Sequence, residues 1–345
     1  MSDATVAHGL ARYLSERWNS KVEISGIRQV VGGAARATWR CSADYNGLRR
    51  GLIFRVGLSN GMDLHSAGAK TEFDVMHLAF EAGTPVAEPL FYETDRQWVG
   101  DDFVIIAEIP DCHTSISALP DVSHPRLAQD AWSILGRIAS LDLKKIDPSG
   151  ILDVVAPESC AASQLEYWSS IYSSNIVHPD PIGAAAIRWL RTNMPLPAQK
   201  LCLVHGDYRV GNLLISENGQ VEAVLDWEMA HMGDPLEDLA WSLGPRQDVD
   251  DCRLAAGIIS HAQALEIWME ASGLDIDPTA FRWWQVFAAF KALAIWTKSA
   301  ALYAHSDLKR PVLARIGWVL TERQQRVLAE YLSPSSSHRL FEYMQ

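Results

Sequence analysis

The chain has 345 residues, of which 48% are hydrophobic and 21% charged, and its formal net charge is −12. This acidic balance argues against nucleic acid as a partner, because phosphate backbones are bound by basic patches, and no apolar run in the sequence is long enough to span a bilayer. Residues 1–5 lack the layout of a secretory signal, and five scattered cysteines without a Cys-x-x-Cys pair argue against a zinc site or a disulfide framework, so we expect a cytoplasmic protein with reduced thiols.

The first predicted feature is a hairpin with two glycines at its turn. Strand-like residues flank Gly32 and Gly33 between Gln29 and Arg40. Small residues at such a turn would let backbone N–H groups approach phosphate oxygens closely. A Gly-Gly pair is also typical of a plain hairpin turn, so both interpretations stay open.

An arginine then interrupts an apolar strand. The segment 52–56 reads Leu-Ile-Phe-Arg-Val, and an Arg inside a buried strand needs an anionic partner to offset its desolvation. Glu72 opens a predicted amphipathic helix over 72–80, where apolar residues recur at helical spacing. Taken alone, Arg55 and Glu72 read equally well as an ordinary surface pair. A further apolar run over 102–109 is predicted to be a buried strand.

The second half of the chain is predicted to be mainly helical. Periodic apolar runs over 128–143, 184–190 and 254–271 indicate amphipathic helices. The segment 281–296 is apolar almost all round, which is typical of a core helix. As an alternative, aromatic residues of 281–303 could line a small-molecule pocket, because amphipathic rings suit hydroxylated or cationic ligands.

The most informative segment lies between residues 203 and 228. Two apolar, strand-like runs each deliver an acidic residue, Asp207 within His-Gly-Asp and Asp226 within Leu-Asp-Trp-Glu, and Asn212 lies five positions after the first. This set suits a phosphoryl-transfer centre, because Mg²⁺ is a hard cation that takes oxygen ligands. Asn212 and Asp226 fit as its ligands, and Asp207 fits as the base that accepts the proton of a hydroxyl. In the simplest alternative, each Asp only caps a turn.

The pattern resembles the aminoglycoside phosphotransferase and choline kinase family, a branch of the protein-kinase-like fold. That family carries His-Gly-Asp-x-x-x-x-Asn and an Asp-Trp/Phe-Glu stretch, matched here by 205–212 and 226–228. Its Gly-Asp-Pro-x-x-Asp-Leu-Ala run is similar to 233–240, where Asp234 and Asp238 are expected to be structural, as acceptors for the unpaired N–H groups at a helix start. The chain is most similar to the branch fused to acyl-CoA dehydrogenases.

The resemblance implies an α+β, two-lobed fold. A small antiparallel-sheet lobe with one helix would cover residues 1–107 and bind the nucleotide, and a larger, mainly helical lobe over 108–345 would carry catalysis and the acceptor. Protein kinases have a lysine at the position of Arg55. The planar guanidinium group of an arginine can also pair with phosphate or carboxylate. Backbone groups at the end of the 102–109 run would meet adenine. The implied nucleotide-binding residues are Gly32, Gly33, Arg55, Glu72, Ala107 and Ile109.

Arg209 has two interpretations. Protein kinases place a lysine two residues after the base, where it offsets the charge of the transferred phosphate, and the resemblance implies the same catalytic role for Arg209. The alternative is a loop arginine paired with a neighbouring carboxylate.

We therefore expect a kinase that uses ATP and Mg²⁺ to phosphorylate a hydroxyl group of a small molecule. The sequence leaves open the acceptor (an aminoglycoside, choline, a sugar, homoserine or a hydroxyacyl compound), the choice between ATP and GTP, and the oligomeric state. One alternative is a non-catalytic, kinase-like nucleotide-binding regulator. Another is a metal-dependent phosphohydrolase, which would need more acidic or His ligands than these runs offer.

Overall fold

The computed structural model describes residues 2–30, 37–56, 69–147, 149–244, 254–305 and 311–333, and the fold is given for these residues. The helices are α1 (Asp3–Arg17), α2 (Ala69–Glu81), α3 (His124–Ser140), α4 (Leu143–Ile146), α5 (Cys160–Asn175), α6 (Pro181–Thr192), α7 (Pro235–Ser242), α8 (His261–Ser272), α9 (Pro278–His305), α10 (Pro311–Arg315) and α11 (Thr321–Leu332). The strands are β1 (Glu23–Val30), β2 (Ala37–Tyr45), β3 (Leu48–Val56), β4 (Pro89–Glu93), β5 (Phe103–Ala107), β6 (Cys112–His113), β7 (Cys202–Val204), β8 (Leu213–Ser216), β9 (Val221–Val224), β10 (His231–Gly233), β11 (Leu254–Ala255) and β12 (Ile259–Ser260).

The chain divides into two units that are each discontinuous in sequence. The first unit comprises Met1–Ser123 and Gly211–Ala230, and the second comprises His124–Val210 and His231–Gln345. The segment 203–228 is therefore divided between the units: Asp207 belongs to the second, and Asn212 and Asp226 belong to the first. The boundary expected after residue 107 stays a prediction.

The first unit is built on a five-stranded antiparallel sheet in the order β1-β2-β3-β5-β4. Because successive side chains of a strand point to opposite faces, the buried residues of β2 and β3 alternate and form one core with helix α1. Tyr13 of α1 packs edge-on against Phe103 of β5, with 5.0 Å between the ring centroids. Arg55 lies between the buried Phe54 and Val56, so its side chain points to the opposite face of the sheet.

A three-stranded sheet in the order β6-β8-β9 completes the first unit. Its tight turn between β8 and β9 contains Gly219, whose φ of +85° lies in the left-handed region. A Cβ atom at this position would lie 2.2 Å from the carbonyl oxygen of Ser123. The hydroxyl of Ser123 donates in turn to the carbonyl of Glu217 at 2.6 Å. Only glycine fits this turn without a shift of the backbone.

The second unit is mainly helical, and its long helix α9 lies in the core. Trp283 and Trp284 are almost fully buried, and the ring of Trp283 stacks on Phe287 at 5.4 Å. The short strands β7 and β10 pair antiparallel beside the helices. The sheet-containing first unit and the helical second unit confirm the predicted α+β class. Within the described ranges, no helix combines the length and apolar character needed to cross a bilayer.

Two predicted elements show where the sequence reading holds and where it fails. The helix predicted over 72–80 is α2. The helix predicted over 254–271 is wrong in its first turns, which form the β11–β12 hairpin instead. Helix α8 starts only at His261, because Ser260 and Gln263 form a capping box there.

Candidate active site

The loop that carries Asp207 is anchored by a buried carboxylate. Strand β7 is fully buried and leads directly into His205 and Gly206. The backbone N–H groups of these two residues donate to the carboxylate of Asp238, at 2.5 and 2.8 Å. Asp238 therefore anchors this loop, whereas the sequence predicted it as an acceptor for N–H groups at the start of its helix. Asp234 does cap that helix, α7, since it accepts the N–H of Leu236 at 2.9 Å.

The side chain of Asp207 is also held from several directions. It is 17% exposed, and its Oδ1 accepts a hydrogen bond from Nε1 of Trp241 at 2.8 Å. Its own backbone N–H donates to Nδ1 of the buried His205 at 3.2 Å. The carboxylate thus has an ordered position at the end of a buried strand, which a base needs if it is to accept a proton in a defined geometry.

Arg209 bonds to Asp207 itself. Its Nε donates to both carboxylate oxygens, at 3.2 and 3.3 Å. This matches the alternative interpretation from the sequence, a loop arginine paired with a neighbouring carboxylate. A role for Arg209 in offsetting the charge of a transferred phosphate stays a prediction.

Asn212 and Asp226 lie at one end of the β8–β9 hairpin in the first unit. Leu213 pairs with Val224 in the register of this hairpin, and the N–H of Leu225 donates to the carbonyl of Asn212 at 2.8 Å. These contacts place Asn212 opposite Leu225, the residue directly before Asp226. An amide and a carboxylate oxygen are the hard donors that Mg²⁺ prefers, so the residues present fit that ion.

Asp226 adopts an unusual backbone conformation. Its φ of 67° and ψ of 61° are left-handed, which is costly for a residue other than glycine. The turn that follows it is fixed, because Nε1 of Trp227 donates to the carbonyl of Val224 at 3.1 Å. Such strain persists only where the surrounding structure enforces it, and it is frequent at functional sites.

The structure brings Arg55 and Glu72 together. Nη1 of Arg55 donates to Oε1 of Glu72 at 2.9 Å, and the Glu72 side chain is only 4% exposed. The pair forms because Arg55 points away from the sheet core and Glu72 lies in the first turn of α2 on that side. Helix α2 also packs against the turn Trp227–Met229, which directly follows Asp226. Within the first unit, the pair and one predicted metal ligand therefore share a supporting helix.

The remaining predicted nucleotide-binding residues are placed only in part. Ala107 ends strand β5, and its N–H donates to the carbonyl of Glu88 at 2.9 Å. That donor is already used inside the unit, so an adenine contact by Ala107 and Ile109 stays a prediction. Gly32 and Gly33 lie outside the described residues.

Sequence reasoning missed a buried polar cluster behind the Asp207 loop. Nζ of Lys291 in helix α9 donates to the carbonyl of Gly206 at 2.6 Å and to Oε1 of Glu237 at 3.0 Å. Nε2 of His231 lies 3.1 Å from the other oxygen of Glu237. A signal was present, since a lysine within the apolar run 286–296 of this helix needs a buried partner. The partner itself could not be read from the sequence.

Comparison with known proteins identifies the family of the chain. The sequence model of the phosphotransferase enzyme family matches residues 26–274. Acyl-CoA dehydrogenase family member 11 of Gallus gallus is 31% identical over 175 residues, which cover 50% of this chain and 22% of that protein. Family member 10 of Mus musculus is 32% identical over 199 residues, which cover 56% of this chain and 18% of that protein. The similarity to these relatives therefore spans about a fifth of their length.

Solved structures share the fold over almost the whole chain. A protein of Ralstonia eutropha assigned as an aminoglycoside phosphotransferase superposes with a TM-score of 0.73 at 18% identity, covering 94% of this chain and 97% of that one. The aminoglycoside phosphotransferase APH(4)-Ia, in a ternary complex with ADP and hygromycin B, gives a TM-score of 0.61 at 17% identity and covers 94% and 98%. At this identity the likeness shows the fold, and it confirms the predicted kinase-like architecture. With its family model matched over most of its length, the chain belongs to the phosphotransferase enzyme family.

Proposed function

We propose that this protein is an ATP-dependent small-molecule kinase that transfers the γ-phosphate to a hydroxyl group. The observation that carries the proposal is the β8–β9 hairpin, which places Asn212 and the strained Asp226 at one end. The ordered carboxylate of Asp207 and the paired Arg55 and Glu72 add to this support. Family membership supports phosphotransfer in general.

In the proposed reaction, Asp207 accepts the proton of the acceptor hydroxyl. The acceptor oxygen forms a new bond to the γ-phosphorus, and the bond between that phosphorus and the bridging oxygen of ADP breaks. Asn212 and Asp226 would hold Mg²⁺, which supplies positive charge to the phosphates when it is bound. Arg55, held in place by Glu72, would contact the nucleotide phosphates.

The acceptor is proposed to be a hydroxyl-bearing small molecule. Hygromycin B is bound in the related APH(4)-Ia structure, and another structural neighbour is described as a choline/ethanolamine kinase family protein of Mesorhizobium loti. The sequence relatives are described as acyl-CoA dehydrogenase family members, so hydroxyacyl compounds belong among the first acceptors to test. We also propose that the protein acts in the cytoplasm.

An ATP-consumption screen tests the proposal. The protein is incubated with Mg²⁺ and ATP and, in turn, aminoglycosides, choline, sugars, homoserine and hydroxyacyl compounds, beside Asp207→Ala as the blank. We expect one class to accelerate ATP loss in the parent and not in the blank. Binding of Mg·ATP without turnover by any acceptor would favour a non-catalytic regulator. Release of phosphate from phosphomonoesters without ATP would favour a phosphohydrolase.

A further inference from the structure

One indole N–H group holds the Asp207 carboxylate from inside the second unit. Trp241 lies in the last turn of helix α7, and its Nε1 donates to Oδ1 of Asp207 at 2.8 Å. This contact joins residues 34 positions apart, so it depends on the packing of α7 against the loop after β7. The indole is a neutral donor, whereas the other donor to this carboxylate, Arg209, is charged and 54% exposed.

The Trp241 ring is itself held by a buried cation. Nζ of Lys291 lies 5.1 Å from the centroid of the Trp241 ring, within cation–π range. The same ammonium group donates to the carbonyl of Gly206, the residue before Asp207. Lys291 therefore contacts both the backbone that leads into Asp207 and the ring that binds its side chain.

The cation is held in turn by a buried anion. Lys291 is 1% exposed and Glu237 is 2% exposed, and the two groups are 3.0 Å apart. Glu237 lies in helix α7, the helix that also carries Trp241. The ion pair thus ties helix α9 to the helix that presents the indole, which leaves Trp241 little freedom to move relative to the loop.

We infer that Trp241, supported by Lys291, is a positioning residue for Asp207, in addition to the exposed Arg209 that bonds to the same carboxylate. The inference rests on the proposed function, in which Asp207 is the base. A catalytic side chain must be held within about 0.5 Å and 10–20° of its productive geometry, and a misplacement of about 1 Å can lower the rate about 100-fold. The indole hydrogen bond to Oδ1 limits rotation of the carboxylate about its Cβ–Cγ bond.

A pair of matched substitutions separates positioning from simple packing. Trp241→Phe keeps an aromatic ring near Lys291 and removes only the N–H donor. Trp284→Phe is the control, because it also removes an indole N–H bond to a carboxylate, that of Asp234 at 3.1 Å, inside the same unit. We expect Trp241→Phe to lower kcat about 10- to 100-fold with KM for ATP within about twofold of the parent. Trp284→Phe should keep kcat within about twofold.

An NMR measurement on the bond itself does not depend on turnover. The protein has 13 tryptophans, and each indole N–H group gives one signal in a ¹⁵N–¹H spectrum. Asp207→Ala should strongly shift the Trp241 indole resonance, assigned in the parent protein by triple-resonance experiments, and leave the Trp284 resonance in place. An unmoved Trp241 resonance would overturn the inference, even if Trp241→Phe folded too poorly for kinetics.

Different results would refute the proposed function and the role of Trp241. A parent protein without any turnover that depends on Asp207 would refute the proposed function. An active parent, with Trp241→Phe as fast as Trp284→Phe, would refute the role of Trp241 alone. A loss of kcat in Trp241→Phe with an unchanged KM and a shifted indole resonance in Asp207→Ala would establish it.

Discussion

Replacing Lys291 with methionine should destabilise the protein strongly at neutral pH. The substitution leaves the buried carboxylate of Glu237 with His231 nearby but without its main counter-charge. Removing one partner of a buried ion pair costs about 3–5 kcal/mol, because the remaining charge stays desolvated. The free energy of unfolding of Lys291→Met should therefore fall by about this amount at pH 7.

The pKa of Glu237 reflects the same interaction. Burial alone would raise this pKa, but the charges of Lys291 and His231 outweigh burial and lower it from 4.5 to about 2. A lowering of this size corresponds to roughly 3 kcal/mol. Because the folded-state pKa is the lower one, this stabilisation is present above about pH 4.5 and is lost as the pH falls towards 2. The loss of unfolding free energy caused by Lys291→Met should therefore be smaller in acid, where Glu237 can take up a proton.

Urea unfolding followed by circular dichroism at pH 7 and pH 4 measures the effect. Lys70→Met is the matched control, since Lys70 is 66% exposed in its ion pair with Asp74 and should contribute less than about 0.5 kcal/mol. The double variant Lys291→Met/Glu237→Gln should recover part of the loss, because no unpaired charge is left buried. If Lys291→Met unfolded within about 1 kcal/mol of the parent at pH 7, the reasoning on this buried pair would be wrong.

Three further predictions concern the site and its surroundings. Asp207→Ala should lose nearly all turnover but still bind Mg·ATP in calorimetry, whereas Asp226→Ala should also lose Mg²⁺-dependent nucleotide binding; full activity of Asp207→Ala would contradict the assigned roles. Burial raises the pKa of Asp234 from 3.8 to about 6, so this carboxyl lowers the unfolding free energy as the pH rises from about 4 to 6, by roughly 3 kcal/mol in total. Asp234→Asn should remove that component from a plot of urea midpoints against pH, and a plot parallel to that of the parent would refute this. Gly219→Ala should destabilise by about 1–3 kcal/mol in thermal unfolding, since its Cβ would meet the Ser123 carbonyl in a left-handed turn, and an unchanged Tm would show that the turn can relax.

The sequence was most informative about candidate site residues that lie close together in the chain or interrupt an apolar run. The five-residue step from Asp207 to Asn212 and the lone Arg55 in an apolar strand could be read directly from the chain. The start of α8 was also readable in principle, since Ser260 and Gln263 have capping-box spacing.

Contacts between segments far apart in the chain could not be predicted from the sequence. Asp238 binds a loop 32–33 residues upstream, and Lys291 reaches Gly206 across 85 residues. Periodicity and propensity describe neighbours along the chain, whereas these bonds depend on which helix packs beside the loop. For the same reason the sequence alone did not mark Trp241, whose N–H binds the Asp207 carboxylate.

The discontinuous first unit has a consequence for synthesis of the protein. Met1–Ser123 leaves the ribosome well before Gly211–Ala230, with the 87 residues of His124–Val210 between them. At about 5–20 residues per second this gap lasts roughly 4–17 seconds. During that time strand β6 has no β8 to pair with, and helix α2 lacks the turn Trp227–Met229 that covers it. A chaperone would therefore be most useful while only the amino-terminal segment has been synthesised. Expression of residues 1–123 alone should give an aggregation-prone fragment.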